Sequence, residues 1–418
     1  MSQGAYGGDE VGAVVVDVGC NSVRAGFAGD EQPKHEVPTS VGIRSDFDSS
    51  VEDSKRSKFV VGSNHLGFPQ AKVEIESPLN EYGVIQNWEA FESLMEHTFS
   101  SCLQTDISRH PVLFSEPAWN ERAKREKQAE LVFEQFNVPA FFVCKTPVLS
   151  CYSNGRSTAL VLDSGHMCTS ATAVHEGYVL QKSIVRSPLA GNFVLDQCHE
   201  IINKSGITIH PHYMVKKKGE EGRPWEKKSD LAEVAKSWHS YQVKNILRDF
   251  VQQVPYINDK ELNEQELSMG LQKRPFYFPN GDSHEYGVER MQVVEQLFNT
   301  SLVRGASANS MNGTSHLVKS SVNLCDVDLR PSLYSSVLVT GGNSLLQGFM
   351  ERLQYELQRN VPPSMRLKLH AHQQTMERKC SAWIGGSILA SLGTFQQLWV
   401  SKMEYEEHGS SIVDKKCP

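Results

Sequence analysis

The sequence lacks paired cysteines. Its nine cysteines are scattered singly, their number is odd, and no Cys-x-x-Cys pair occurs. Structural zinc sites and disulfide frameworks usually show regular cysteine spacing. Neither kind of site is predicted, and the composition favours a reducing compartment.

A basic excess is also missing, because 42 Lys and Arg residues face 49 Asp and Glu residues and the formal net charge is -7. A protein that wraps nucleic acid by neutralising phosphates needs an excess of cations. We therefore expect any contact with DNA to be local.

Long hydrophobic runs are absent as well. The longest, such as residues 14–16 and 159–162, fall far short of the about 20 residues that span a bilayer. The first residues contain glycines, Asp9 and Glu10 and lack the basic and apolar regions of a signal peptide. The sequence predicts a soluble protein that is not exported and has no membrane partner.

The length of 418 residues and a hydrophobic content of 39% describe an ordinary globular chain. Single hydrophobic cores usually stop growing at roughly 250–300 residues. Two lobes are therefore predicted.

One strand-turn-strand pattern occurs twice. An apolar, β-branched run leads to Asp17 and a turn at residues 19–22, and a second apolar run leads to Asp163 and a turn at Gly165. The aspartates are 146 positions apart (163 minus 17), which is a domain-sized separation. We expect one such hairpin in each lobe.

Helical patterns alternate with these strands. Asn120 is a candidate N-cap of a helix that runs to about Phe136. A third strand, residues 337–340, precedes Gly341 and Gly342 and then apolar residues at helical spacing. The mixture predicts an α/β protein.

The turns suit phosphate binding. Tight turns with glycine expose several backbone N–H groups to an anion. Asp17 and Asp163 would hold a hydrated Mg²⁺, which keeps several of its waters, and Arg24 adds a cation. Gly341 and Gly342 permit close backbone approach at a predicted helix start. Each feature alone is a common turn, but the ordered set indicates a nucleotide site between two lobes.

Several segments resemble actin. They are RAGFAGD at residues 24–30, FNVPA at 136–140, VLDSG at 161–165, WIGGSILASL at 383–392 and TFQQ at 394–397. The resemblance spans nearly the whole chain and implies the actin-like ATPase fold, with two lobes and four subdomains around a central nucleotide cleft. It implies a first lobe of residues 1–150 and 350–418, with a small subdomain at about 36–72, and a second lobe of 151–349, with one at about 186–274.

The resemblance also implies ATP and Mg as ligands. The matching cofactor positions are Asp17, Gly19, Cys20, Asn21, Arg24, Asp163, Gly165, His166, Met167, Cys168, Gly341, Gly342 and Lys379, with Asp17 and Asp163 holding Mg through water. Where actin has a serine in the first loop this chain has Cys20, a weaker hydrogen-bond donor.

Positions around the attacking water differ from the family. Actin places a glutamine, an aspartate and a histidine there, and this chain has Thr146, His166 and Ser170. Phosphoryl transfer depends on positioning and charge stabilisation, so their replacement should slow hydrolysis greatly. We expect ATP binding without appreciable enzymatic activity and assign no catalytic residue.

Filament contacts also differ. The loop that caps a neighbouring subunit in actin filaments corresponds to the charged residues 44–58, and charge resists burial. The inter-strand plug corresponds to residues 302–313, which are small and polar. Impaired polymerisation is predicted.

A groove that accepts amphipathic helices in actin has matching residues here. They are Tyr152, Gly155, Gly177, Tyr178, Leu389, Leu392, Thr394 and Leu398. Core packing is the alternative explanation for Leu389. Taken together the set predicts a helix-in-groove site.

Among actin relatives, YGGDEVG at 6–12, PPSMRLKL at 362–369 and KKCP at 415–418 resemble a nuclear class. That class is shared by chromatin-remodelling and histone-acetyltransferase complexes. The resemblance implies a nuclear location, with nuclear actin and the helicase-SANT-associated helix of a remodelling ATPase as partners, and histones or nucleosomal DNA as further candidates.

Two alternatives remain. One is a filament-forming cytoskeletal actin-like ATPase, which the changes at Thr146, His166 and Ser170 and the charged 44–58 loop disfavour. The other is a sugar kinase on the same superfold, for which we identify no carboxylate base.

Overall fold

The structure, a computed structural model, describes residues 12–44, 58–219, 224–262, 272–303 and 311–418. Within these ranges the strands are, in chain order, β1 (Val14–Val18), β2 (Ser22–Phe27), β3 (His35–Pro38), β4 (Val41–Arg44), β5 (Phe59–Val60), β6 (Val73–Glu76), β7 (Val112–Glu116), β8 (Ala140–Lys145), β9 (Ala159–Ser164), β10 (Thr169–His175), β11 (Tyr178–Val179), β12 (Val185–Ser187), β13 (Val215–Lys217), β14 (Glu226–Lys227), β15 (Arg274–Tyr277), β16 (Ser283–Tyr286), β17 (Val337–Thr340), β18 (Leu369–His370) and β19 (Val400–Ser401).

The α-helices of the same ranges are α1 (Ser63–Leu66), α2 (Trp88–Glu96), α3 (Arg122–Glu130), α4 (Thr146–Ser153), α5 (Gly191–Lys204), α6 (Lys236–Gln253), α7 (Glu289–Glu295), α8 (Thr314–Asn323), α9 (Arg330–Tyr334), α10 (Phe349–Asn360), α11 (Thr375–Lys379), α12 (Ser381–Ser391), α13 (Lys402–His408) and α14 (Ile412–Lys416). α2 and α3 each continue into a π-helical turn, at His97–Cys102 and Leu131–Gln135.

Two six-stranded sheets form the frame. The first has the order β19-β8-β7-β1-β2-β3, and the second has the order β11-β10-β9-β17-β18 with β12 also paired to β10. In each sheet the strand that has an aspartate as its penultimate residue is antiparallel to the next strand and parallel to a later one. The predicted repeated hairpin is confirmed, and so is the α/β fold class.

Each sheet has its own hydrophobic core, because its central strands carry apolar side chains on both faces. The first core surrounds Phe91, Phe114 and Trp383. The second surrounds Phe250 and Phe349. We call the two parts built on these cores the first lobe and the second lobe.

Helices α4 and α12 join the lobes. α4 contacts strands of both main sheets and packs along α12, which covers β1 and β7. The first core accordingly reaches Val161 of β9 and Leu338 of β17. The chain therefore has a rigid connection at one end of the space between the sheets.

Three predictions about boundaries need correction. The predicted helix start at Asn120 lies too early, because the N-cap is Glu121 and the Asn120 amide instead donates to Glu116 Oε2 at 2.9 Å. The first lobe was predicted to resume at residue 350, but the apolar face of α10, including Leu353 and Leu357, packs in the second core. The limits of the two small subdomains stay predictions.

The third correction concerns Gly341 and Gly342, which do not begin a long helix. They lead into a four-residue 3₁₀ segment, Gly342–Leu345, and α10 starts only at Phe349. Gly348 separates the two with a left-handed φ of 88°, and a Cβ there would lie 1.8 Å from the Ile257 carbonyl oxygen. A helix macrodipole is therefore not available at Gly341.

Small sheets complete the fold. β5-β4-β6 is inserted in the first lobe, while the hairpins β13-β14 and β15-β16 belong to the second. The segments 6–11, 45–57 and 304–310, which bear on the class assignment and the filament contacts, lie outside the described residues. No helix in the described ranges combines the length and apolar character needed to cross a bilayer.

Candidate nucleotide-binding site

The two hairpin turns have the same hydrogen bond at their tips. In the first tip (residues 17–24) the Gly19 N–H donates to the Ser22 carbonyl at 3.1 Å, and in the second (residues 163–170) the Gly165 N–H donates to the Cys168 carbonyl at 3.0 Å. Among the described residues, the intervening N–H groups donate to no other backbone carbonyl; they belong to Cys20, Asn21, His166 and Met167. These groups are free to bind an anion.

The aspartate of the first tip is locked in place. Asp17 is 5% exposed, accepts a bond from Ser115 Oγ at 2.6 Å and pairs with Arg24 Nη1 at 2.9 Å. Burial alone would lower the pKa of the Arg24 guanidinium, but the charge of Asp17 and smaller contributions that include Glu36 raise it overall. The charge of Arg24 is therefore already paired with protein carboxylates.

The aspartate of the second tip faces the first. Burial and, to a smaller extent, the negative charge of Asp17 raise the pKa of Asp163 to about 6, although Arg24 opposes both. The two tips therefore lie close enough for their carboxylates to interact. An arrangement of facing carboxylates with one shared cation favours an additional cation between them.

Gly341 lies directly against Asp163. β17 runs parallel to β9, with Thr340 opposite Asp163. A Cβ at Gly341 would lie 2.5 Å from Asp163 Oδ1 and 2.3 Å from the Ser164 carbonyl oxygen, and φ is 91°. Only glycine fits there. A Cβ at Gly342 would meet no atom within 4 Å, so its surroundings are open.

The two cysteines at the tips also approach one another. Burial raises the pKa of the Cys20 thiol to about 12, with contributions from Cys168 and Asp163. Burial likewise raises the pKa of Cys168 to about 11. Both thiols are protonated at neutral pH, so Cys20 offers only a weak S–H donor to a phosphate.

His166 is neutral at physiological pH. Burial and, to a smaller extent, the cations Arg248 and Lys244 of α6 lower its pKa to about 4. Its backbone is fixed by α5, because the Asn192 N–H donates to the His166 carbonyl at 2.7 Å. His166 therefore supplies no positive charge to an anion.

The other two positions expected near an attacking water are occupied by hydroxyls. Thr146 Oγ donates to the Glu116 carbonyl at 2.7 Å, at the start of α4. Ser170 is 7% exposed and stands opposite Asp163 on β10. The Thr146 proton is already used by the protein.

Lys379 lies at the edge of the first tip rather than free in the cleft. Its Nζ is 2.8 Å from Glu36 Oε2. Glu36 also accepts a hydrogen bond of 2.5 Å from Ser22 Oγ, and its strand pairs it with Arg24. A role for Lys379 toward an adenosine group stays a prediction.

One contact between the two lobes was not predicted from the sequence. Arg186 of β12 lies over the rings of Trp119 at 4.8 Å and Tyr82 at 5.2 Å, measured from the guanidinium carbon to the ring centroids. The Trp119 indole N–H donates to the Tyr82 carbonyl at 2.8 Å. Ser170 of β10 pairs with Arg186 on one side and with Asp163 on the other, so the three residues lie side by side across neighbouring strands. Because these residues are far apart in the chain, no sequence pattern predicts that they are in contact.

The predicted helix groove lies at the end of α4 and α12. Tyr152 lies in the last turn of α4. Burial raises the pKa of the Tyr152 phenol, and Tyr178 adds to this effect, so the two side chains are neighbours. Tyr178, Leu392 and Leu398 are 60%, 40% and 48% exposed. Leu389 is only 6% exposed and belongs to the first core, which removes it from the accessible surface. Binding by this groove stays a prediction.

Comparison with known proteins agrees with this geometry. The family described as Actin matches residues 8–418. The chain is 38% identical to actin-related protein 4 of Arabidopsis thaliana, over 99% of this chain and 100% of that protein. It is 34% identical to actin-related protein 4 of Emericella nidulans (100% and 98% covered) and 32% identical to that of Schizosaccharomyces pombe (100% of both). Since the match extends over nearly every residue and includes both aspartate-led tips, the chain belongs to the actin family, whose fold is a nucleotide-binding one.

Proposed function

We propose that this chain binds ATP with Mg²⁺ and hydrolyses it weakly or not at all, serving as a subunit of nuclear chromatin-remodelling or histone-acetyltransferase complexes. The proposal of nucleotide binding is supported by one observation. Asp17 and Asp163 approach each other across the two tips, next to Gly341, whose position leaves no room for a side chain. The proposed role in chromatin-remodelling complexes is supported by the similarity of the chain to actin-related proteins 4.

The residues fit a magnesium-triphosphate group. Free N–H groups at both tips would bind phosphate oxygens, and Asp17 and Asp163 would bind the waters of Mg²⁺. A divalent cation would offset the burial of the Asp163 charge and its repulsion by Asp17, which together raise the Asp163 pKa. When bound, Mg²⁺ neutralises phosphate charge. Arg24 orients Asp17 through their ion pair.

Weak hydrolysis follows from what the cleft offers a water molecule. Thr146 Oγ already donates to a carbonyl, His166 carries no charge, and Ser170 is a poor base. Orienting the attacking water and stabilising the developing charge supply most of the catalysis of phosphoryl transfer. The cleft therefore holds the phosphates more effectively than it activates water.

Nucleotide content provides the direct test. Protein purified with Mg²⁺ and heat-denatured should release ATP close to one per chain. A single-turnover experiment with γ-labelled ATP should show negligible phosphate release over hours. Release at the rate of filamentous actin would contradict the proposal, and so would protein free of nucleotide after loading.

The partner role predicts that the chain pairs with nuclear actin on the helicase-SANT-associated helix of a remodelling ATPase, with histones or nucleosomal DNA as further contacts. Affinity purification from nuclei should recover actin and such an ATPase. Leu392→Asp should abolish that recovery, because it puts a charge in the predicted groove. Leu324→Asp is the matched control, since Leu324 is a 53% exposed leucine after α8 in the second lobe. Equal loss with both variants would contradict the groove assignment.

A filament-forming cytoskeletal ATPase remains the competing function. Sedimentation after addition of salt, Mg²⁺ and ATP separates the two, because the proposed subunit stays in the supernatant. Ordered filaments in the pellet would favour the competitor.

A further inference from the structure

A cavity lies at the base of the hairpin β15-β16 in the second lobe, between the hairpin, the start of α7 and the segment that follows α6. Its volume is about 430 Å³. No residue of its lining belongs to the two phosphate tips, and neither Gly341 nor Gly342 contributes to it. We call it the basic cavity and define it by its polar lining residues, which are Tyr256, Gln272, Lys273, Arg274, Arg290 and Gln347.

The basic cavity carries three positive charges, from Lys273, Arg274 and Arg290, and its lining contains no carboxylate. In the described part of the chain none of these three side chains forms an ion pair. The carboxylate of Glu289 is engaged elsewhere, because its Oε2 accepts a hydrogen bond from the Gly287 N–H at 2.9 Å. The chain as a whole has a formal net charge of -7, so this local excess of cations runs against its composition. An anionic ligand would relieve the repulsion between them.

Arg290 is held in a fixed orientation. Its Nε donates to the Val254 carbonyl at 3.0 Å, and its Nη1 donates to the Gln272 carbonyl at 3.2 Å. Its guanidinium carbon lies 5.8 Å from the centroid of the Tyr256 ring. Nη2 has no hydrogen-bond partner among the described residues. A guanidinium that is already anchored in this way loses little freedom when its remaining N–H groups bind an anion.

The cations lie close enough together to act on one ligand. Burial and, to a smaller extent, the charge of Arg274 lower the pKa of the Arg290 guanidinium, although Tyr256 opposes both. Lys273 precedes Arg274 at the start of the hairpin, and both side chains are exposed at the mouth of the cavity. One ligand can therefore contact a fixed cation inside and two adaptable cations at the rim.

Backbone contacts fix the walls of the cavity relative to one another. The Tyr256 N–H donates to the Arg290 carbonyl at 3.1 Å, and the Ile257 N–H donates to the Gln347 carbonyl at 2.9 Å. Gly348, the next residue, lies so close to the Ile257 carbonyl that a Cβ would be 1.8 Å from its oxygen. The cavity is therefore formed by the fold itself, before any ligand binds.

The lining indicates the chemical class of the ligand. Arginine and lysine recognise phosphate oxygens, and the carboxamides of Gln272 and Gln347 offer further donors. The volume is within the range of small-molecule sites. A nucleic acid backbone, by contrast, is usually bound by an extended basic surface. Three cations around a concave site match a compound with several negative charges in a small space.

We propose that the basic cavity binds a small compound that carries two or more phosphate groups. Arg290 is the fixed anchor of this site, and Lys273 and Arg274 bind the ligand from the hairpin. The site goes beyond the proposed nucleotide function and does not depend on it.

Isothermal titration calorimetry with fructose 1,6-bisphosphate tests the proposal on the full chain, kept in ATP and Mg²⁺. We expect saturable binding of one bisphosphate per chain that weakens as salt is added, because salt screens the attraction between charges. The ATP that stays with the protein is measured after the titration and should be unchanged. Loss of ATP in proportion to the bisphosphate bound would place the bisphosphate in the nucleotide cleft and overturn the proposal.

A pair of charge variants locates the site. Lys273→Gln with Arg274→Gln removes two exposed cations and should weaken bisphosphate binding roughly tenfold or more, because hydrogen bonds from charged donors are the strong ones. Lys217→Gln with Lys218→Gln is the matched control, since these exposed neighbours lie at the end of β13 and the charge change is the same. The control should stay within about twofold of wild type. Equal weakening by both double variants would show unspecific attraction to charge and overturn the proposal.

Arg290→Lys tests the anchor. Lysine keeps the charge but lacks the fork that the two carbonyls hold, so binding should weaken several-fold. Unchanged affinity in this variant and in the Lys273→Gln, Arg274→Gln variant would also overturn the proposal.

Parallel titrations identify the class of ligand. Inorganic phosphate should bind more weakly than the bisphosphate, because it reaches fewer of the cations. A hexaglutamate peptide and a short DNA duplex should bind more weakly still. Tighter binding of the peptide or the duplex than of the bisphosphate would contradict a small phosphate compound as the ligand.

Discussion

The two phosphate tips have one backbone design and two different electrostatic environments. In the first, Asp17 has Ser115 and Arg24 as partners. In the second, Asp163 is opposite Ser170 and faces Asp17. The protein itself thus satisfies the first carboxylate with an ion pair and a hydrogen bond. The charged form of the second carboxylate is disfavoured by burial and by the charge of Asp17.

Because of this difference, we expect the two aspartates to contribute differently to folding stability and to ligand binding. A carboxylate that is satisfied by the protein contributes to folding even when no ligand is present. A buried carboxylate whose charge the protein only partly neutralises costs folding stability unless a further cation binds, which is common in functional sites. The two aspartates should therefore respond in opposite ways to removal.

We expect the largest change in unfolding free energy from a substitution in the first tip. Asp17→Ala leaves the Arg24 side chain, 13% exposed, with Glu36 at 3.6 Å as its remaining carboxylate and a long 3.5 Å hydrogen bond to Ser22 Oγ. Loss of one partner of a buried pair costs about 3 kcal/mol of unfolding free energy. Asp163→Ala should be neutral or stabilising in nucleotide-free protein, while both variants lose ATP. Urea unfolding measures this, with Asp30→Ala as an exposed control. Equal destabilisation by both variants would remove the distinction.

A pH series sharpens the comparison at Asp163. Its folded pKa of about 6 lies above the ordinary value of 3.8, so the folded state binds more protons between these pH values and loses stability as pH rises through them. Asp163→Asn should therefore be more stable than wild type by about 1–3 kcal/mol at pH 8 and by close to nothing near pH 4. Melting curves of nucleotide-free protein at several pH values would show it. A pH-independent difference would contradict the assignment.

Arg186 tests whether the second tip is supported from the first lobe. Arg186→Gln removes the cation that lies over Trp119 and Tyr82, at a cost of about 1 kcal/mol. We expect release of bound nucleotide to become a few-fold faster. Arg186→Lys keeps the charge and should retain part of the effect. Unchanged release in the Gln variant would show that this bridge does not hold the lobes.

The smallest effect is expected at Cys20. Cys20→Ser replaces a weak S–H donor by a hydroxyl at the first tip, and a net hydrogen bond is worth about 1 kcal/mol. ATP affinity should rise by roughly two- to tenfold in equilibrium titration. Cys102→Ser, at a partly buried cysteine of the π-helical turn after α2, should leave affinity unchanged. Weaker binding by Cys20→Ser would contradict the idea that the thiol limits the phosphate grip.

Much of the local structure could be predicted from the sequence. Apolar runs that end in Asp17 and Asp163 predicted both hairpins, since strand and turn preferences act over a few neighbouring residues. The third strand was also predicted correctly. Its helix was not, because apolar spacing continued through Gly348 although close approach to Ile257 forces a break there.

The amino-acid sequence by itself determined which residues form the tips and the family likeness, because these depend on short-range patterns and on motifs that are contiguous in the chain. Only the tertiary structure decided that Arg24 pairs with Asp17, that Arg186 reaches Trp119 and Tyr82, and that Trp238 covers Leu66. Such contacts join residues up to 172 positions apart. Burial and charge proximity set their chemistry, and neither exists before the chain folds.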